Sequence, residues 1–151
     1  MSLLIFDREQ HQAGSKLIHQ GLRFGRERDL EQAILYIVQG LELIDQEANP
    51  RLTLAALHNL AIFLTYLGHL RLARAVIVRG RRLYRSVGGS LMRARLAWLQ
   101  ATIARERGRR DLAFSRLERA CEIFEQLRLP EAEEVREEMD SMMGWGEPHY
   151  S

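Results

Sequence analysis

An all-α fold of repeated helix pairs is what the sequence predicts, and three observations carry that prediction. Small residues recur every forty positions, as Gly21, Ala61 and Ala101, then Ala33, Ala73 and Ala113, then Gly40, Gly80 and Ala120. Larger apolar residues keep the same period: Ile37 with Ile77 and Leu117, Leu43 with Leu83 and Ile123, Leu30 with Leu70, and Leu17 with Leu57. Leu57, Leu60, Ala61, Leu64 and Leu67 stand at the i, i+3, i+4, i+7 spacing of an amphipathic helix, and no segment alternates as a half-buried strand does. A repeat of this length with helical periodicity marks stacked helix pairs, because one pair alone cannot bury its apolar face.

The breakers divide the chain into seven helices near 7–26, 30–46, 50–67, 70–86, 90–107, 110–127 and 130–143. Asp29 with Gln32 resembles a capping box that opens the second helix. Asn49 is placed to cap the third, with Pro50 at its first position. Gly68, Gly88-Gly89, Gly108 and Pro130 punctuate the rest. The helices group into units 14–46, 50–86 and 90–127 of a single domain, 1–143, followed by a flexible tail, 144–151. The seventh helix lacks a following partner and carries Glu131, Glu133, Glu134, Glu137, Glu138 and Asp140, which suits a polar cap on the stack.

With 151 residues and 46% hydrophobic content, the chain supports one core. No apolar run approaches the roughly 20 residues needed to span a bilayer, and Met1-Ser2-Leu3-Leu4-Ile5-Phe6 is too short and lacks the basic flank of a signal peptide. A soluble, cytoplasmic protein with no membrane partner is expected. The single cysteine, Cys121, cannot form an internal disulfide and reads as a small core residue. The net charge of +2 hides strong segregation: residues 71–119 hold 14 Arg against 3 acids, whereas residues 120–151 hold 2 Arg against 9 acids. Only Lys16 among the 22 basic residues is lysine, which a GC-rich genome or a phosphate-binding surface would both produce.

The spacing of small residues, Gly21–Ala33–Gly40 repeated as Ala61–Ala73–Gly80 and Ala101–Ala113–Ala120, resembles the signature of the tetratricopeptide repeat family over about residues 14–127. The junction Leu67-Gly68-His69-Leu70-Arg71-Leu72-Ala73 is similar to the family's helix-turn-helix, and Arg107-Gly108-Arg109-Arg110-Asp111-Leu112-Ala113 echoes it. The family period is usually thirty-four, so this is a long variant; it also resembles repeat regions of multidomain bacterial regulators. Arg28 stands where the other units have Gly68 and Gly108, and the family's first-helix aromatic is replaced by Leu17, Leu57 and Ala97, with Trp98 one place off.

The resemblance implies a right-handed superhelical stack whose first helices line a concave surface. Its open positions would include Ile18, Leu22, Ala55, His58, Ile62, Thr65, Tyr66, Arg95, Trp98, Thr102 and Arg105. Asn59 and Arg95 match part of the family's carboxylate-binding groove, but Leu22 and Leu99 stand where that groove needs polar groups, so a full carboxylate clamp is not expected. Tyr66, Trp98, Arg95 and Arg105 suit an apolar, partly acidic ligand, since aromatic and Arg residues anchor interfaces. The competing reading places Trp98 and Tyr66 in the core and Asn59 and Arg95 as struts between helices.

The function expected is a non-enzymatic scaffold or adaptor that holds a peptide or helix of another protein. A self-associating module is the alternative, in which the basic middle meets the acidic last helix of the same chain or of a second copy. Nucleic-acid binding through the Arg-rich segment ranks lower, because no aromatic stacking residues interleave those arginines. No His-Glu-x-x-His pair and no glycine-rich phosphate loop is present, so neither catalysis, a metal nor a cofactor is expected.

Overall fold

The computed structural model describes residues 2–146, with side chains described for residues 8–144. Among them the chain is helical throughout: α1 (Ser2–Arg26), α2 (Leu30–Leu43), α3 (Pro50–Tyr66), α4 (Leu70–Ser86), α5 (Gly89–Glu106), α6 (Arg110–Gln126) and α7 (Glu131–Gly146), with no strand among the described residues.

The boundaries differ from the sequence reading by more than one residue at three places. α1 begins at Ser2, and α7 continues through Gly144 to Gly146, where a flexible tail is expected from the sequence; residues 147–151 of that segment lie outside the described residues. α2 stops at Leu43 because Ile44 turns extended (ψ 153°) and Asp45 starts a turn of its own, its Oδ1 accepting the Ala48 N–H at 3.2 Å. That turn also reorients Asn49. It occupies the N-cap position before Pro50, but its side-chain amide donates to the Asp45 carbonyl at 3.0 Å instead of capping α3. Asp29 caps α2 as its sequence context implies, accepting from the Gln32 N–H.

The turns repeat more faithfully than their residues do. Arg28, Gly68 and Gly108, forty positions apart, all take the left-handed conformation, with φ of 64°, 82° and 78°. Each closes its helix with the same two backbone bonds. Arg28 donates to Gly25 and Asp29 to Phe24; Gly68 donates to Thr65 and His69 to Leu64; Gly108 donates to Arg105 and Arg109 to Ala104. This is the Schellman closure, which satisfies carbonyls that a helix end otherwise leaves open. Arg128 (φ 56°) closes α6 in the same way, with Leu129 donating to Phe124. The departure of Arg28 from glycine is therefore a change of residue and not of geometry.

The helices pack as two compact units, Met1–Val87 and Gly88–Ser151, divided at the Gly88-Gly89 breaker. In the first unit α1 packs on α2, α3 on α4, and α2 and α1 both touch α3. In the second, α5 packs on α6 and α6 on α7. All nine small residues of the forty-residue pattern are buried, as are Ile37, Ile77 and Leu117. The core of the second unit is built largely of alanine, with Ala94, Ala97, Ala101, Ala104, Ala113 and Ala120 surrounding Leu117, Phe124 and Val135. Such small side chains let helix axes approach closely.

Candidate interaction site

The first unit holds a shallow cleft of about 240 Å³ between α1 and α3, lined by Leu22, Gly25, Arg26, Asn59 and Phe63. Its floor depends on glycine. A Cβ at Gly25 would lie 2.1 Å from the Phe63 ring, so only a bare backbone lets that ring lie against α1. Phe63 is buried and Leu22 half-buried, while Arg26, in the last turn of α1, is exposed at the mouth. Asn59 folds its amide onto its own helix, donating to the Ala55 carbonyl at 2.8 Å. The result is an apolar floor beside a guanidinium, suited to an apolar side chain with an anionic neighbour.

Of the residues expected to line a groove, Leu22 and Asn59 are the two that the cleft contains. Ile62 is half-buried on α3, and Tyr66, which ends α3, is 73% exposed. Arg95 is exposed on α5, and Thr102 is half-buried, its hydroxyl donating to the Trp98 carbonyl one turn back at 3.2 Å. Asn59 belongs to the first compact unit and Arg95 to the second.

Three of the expected groove residues, Ile18, His58 and Trp98, are instead engaged between paired helices. His58 is 5% exposed, and its Nδ1 lies 2.6 Å from the Tyr84 hydroxyl of α4, the two rings meeting edge to face at 5.8 Å and 76°. Trp98 meets Phe124 of α6 at 5.7 Å and 75°. The pairs 58–84 and 98–124 are the same pair displaced by forty residues, with nearly the same geometry in two separate units. The sequence carried that signal, since His58 with Trp98 and Tyr84 with Phe124 keep the repeat period, yet an eye tuned to aliphatic and small residues passes over an aromatic position that varies in chemistry. The matching positions in the first pair are Ile18 and Ile44, both buried. Burial also pushes the Tyr84 phenol well above its ordinary value.

In the second unit, Trp98 and Arg105 converge on one carboxylate of α7. The indole N–H donates to Glu138 Oε1 at 3.0 Å, and the Arg105 guanidinium lies 3.7 Å from Oε2. Glu138 thus occupies the place that the sequence reading gives to an acidic ligand. Further along, Arg110 donates to the Met142 carbonyl. Ala132, Val135 and Met142 of α7 are buried in the unit's core. Arg136 ties α7 to α6 through Glu125 at 2.8 Å and pairs with Glu133 in its own helix. The same guanidinium holds the Glu125 carboxyl below its usual range. Cys121 is buried, and its thiol is pushed up, first by that burial and then by the Glu125 carboxylate 3.4 Å away. A thiol held protonated in this way is a weak nucleophile.

Among the described residues no group of three or more His, Cys, Asp or Glu is gathered to hold a metal ion, and no helix is long and apolar enough to cross a membrane. Comparison of the chain with protein-family models, with curated proteins and with solved structures gives no match in any of the three, so the resemblance to tetratricopeptide repeats rests on the sequence alone.

Proposed function

We propose that this chain is a non-catalytic helical-repeat scaffold that holds a helix or extended segment of a partner protein against the open face of its first helices. The reading includes the right-handed superhelical course that the family resemblance implies. The observation that carries it is the α1/α3 cleft, where Gly25 lets Phe63 form an apolar floor and Arg26 stands at the rim. The capture of Glu138 by Trp98 and Arg105 supports it from within the chain, because it illustrates how a first helix receives an acidic amphipathic helix through an indole N–H and a guanidinium. The ligand expected is therefore an amphipathic segment with an apolar anchor and a carboxylate about one helical turn away.

A photo-crosslinking residue placed at Asn59 tests this in cells of the source organism. One partner should be captured reproducibly, and Arg26→Glu should reduce its capture several-fold while leaving the melting temperature unchanged. Crosslinking that is diffuse, or that is indifferent to Arg26→Glu, would sink the assignment of the cleft.

A further inference from the structure

The outward face of α4 is a ladder of guanidinium groups. Arg71, Arg74, Arg82 and Arg85 are exposed and, at 100° per residue, share one face with Val78, opposite the buried Ala73, Ile77, Gly80 and Tyr84. Arg79 and Arg81 flank that face. The ladder spans about 21 Å at 1.5 Å per residue, and α4 contains no acidic residue. No described carboxylate of the first unit pairs with it; the polar contact made there is from Arg79 to the Gln46 amide oxygen at 3.1 Å. Val78, 58% exposed, lies within the ladder, and Leu72, 56% exposed, lies to its side beside Arg79.

The complementary surface lies on α7. Its apolar face is buried through Ala132, Val135 and Met142, and Glu133 and Glu138 are already tied to Arg136 and to Arg105 with Trp98. Of the other four acids Glu131 is half-buried, and Glu134, Glu137 and Asp140 are exposed, at i, i+3 and i+6 along the outward face. Their spacing is that of a helical ridge, as is the spacing of Arg71, Arg74 and Val78 or of Val78, Arg82 and Arg85.

We propose that the outward face of α4 docks the outward face of α7 of a second copy of this chain. Opposite charges on ridges of the same period attract at long range and fix the register on contact. A single surface ion pair contributes little, whereas several charges in one network contribute more, and Val78, within the ladder, adds an apolar side chain to be covered on contact. A nucleic acid would neutralise the arginines but would set Val78 against phosphates and leave Glu134, Glu137 and Asp140 without a counterpart. Each copy presents both faces. Two such contacts about a twofold axis close a dimer, and contacts that do not close extend head to tail.

Light scattering coupled to size-exclusion chromatography, over a concentration series at low and high salt, tests the proposal with two charge-reversed variants. One carries Arg74→Glu, Arg82→Glu and Arg85→Glu; the other carries Glu134→Lys, Glu137→Lys and Asp140→Lys. The natural chain should assemble at low salt and dissociate as salt rises. Each variant alone should remain monomeric with its helical circular dichroism and melting temperature intact, and an equimolar mixture of the two should assemble again. A natural chain that stays monomeric at every concentration, or assembly that survives either variant, overturns the proposal. So does a monomeric chain that binds a duplex DNA probe and loses that binding in the α4 variant, an outcome that would assign the ladder to nucleic acid. Neither variant alters Arg26 or Asn59, so crosslinking from the α1/α3 cleft reports separately on that site.

Discussion

The crossing of α1 with α2 and that of α3 with α4 begin from the same sequence device and end at different separations. In the first, a Cβ on Gly40 would lie 2.7 Å from the Gly14 carbonyl oxygen, and a Cβ on Gly14 would lie 2.8 Å from the Gly40 oxygen, so the two backbones touch reciprocally. Gly21 repeats the contact one step along, 2.9 Å from the Ala33 oxygen. In the second crossing, a Cβ on Gly80 would meet only side chains at ordinary distances, Tyr84 at 3.4 Å and Leu57 at 3.5 Å. The residue matching Gly14 is Leu54 in α3, which is buried, and the residue matching Ile44 is Tyr84. A glycine thus marks where helices cross, but the partner helix decides how closely. Backbone contact closes the first pair; a leucine, a tyrosine and its histidine fill the second.

Four substitutions sharpen or break that contrast. Gly40→Ala should cost about 2 kcal/mol, because the added methyl meets a carbonyl oxygen that cannot move without shifting α1; urea unfolding of the purified chain measures it, and a neutral result would remove the backbone contact. Tyr84→Phe should cost about 1–2 kcal/mol by taking the hydroxyl from His58 in a buried setting. It should also change the alkaline limb of stability. The folded state raises the Tyr84 pKa, so the stabilisation is fully present below the unfolded value of about 10 and is lost as pH climbs above it; melting curves against pH should show that loss in the natural chain and a smaller one in Tyr84→Phe. Gly80→Ala should stabilise by about 0.5–1 kcal/mol, since the methyl fits and alanine favours the helix. The opposite signs at Gly40 and Gly80 are the direct test of the comparison. Smallest is Arg28→Gly, expected to gain about 0.5 kcal/mol by relieving a left-handed backbone that the second pair already gives to Gly68.

Much of the helical order was legible because small residues repeat through all three units, with Ile37, Ile77 and Leu117 in step, and because Gly68, Gly88-Gly89, Gly108 and Pro130 fall between stripes. The left-handed turn at Arg28 was not legible from its own residue, since arginine does not ask for that conformation; it follows from the register with Gly68 and Gly108. The site was less legible. His58 and Trp98 were placed on an open face because a polar or amphipathic side chain on a first helix looks accessible by pattern alone, yet each has an aromatic partner 26 residues downstream that brings it between helices. Leu22 and Asn59 of the cleft are legible by pattern, whereas Gly25 and Phe63 are not, for the reverse reason. The cleft's opening depends on the missing Cβ of Gly25, and a glycine within a helical stripe reads as weak propensity until the ring lying over it is seen.

Trp98 turns the last helix into something that can be watched. Its indole shares a hydrogen bond with Glu138 and rests edge-on against Phe124, so release of α7 would strip away the bond and wet the ring in one event. In a chain whose second tryptophan is replaced by Trp145→Phe, emission colour becomes a native optical gauge of whether that terminal segment is seated, readable in solution without any attached dye.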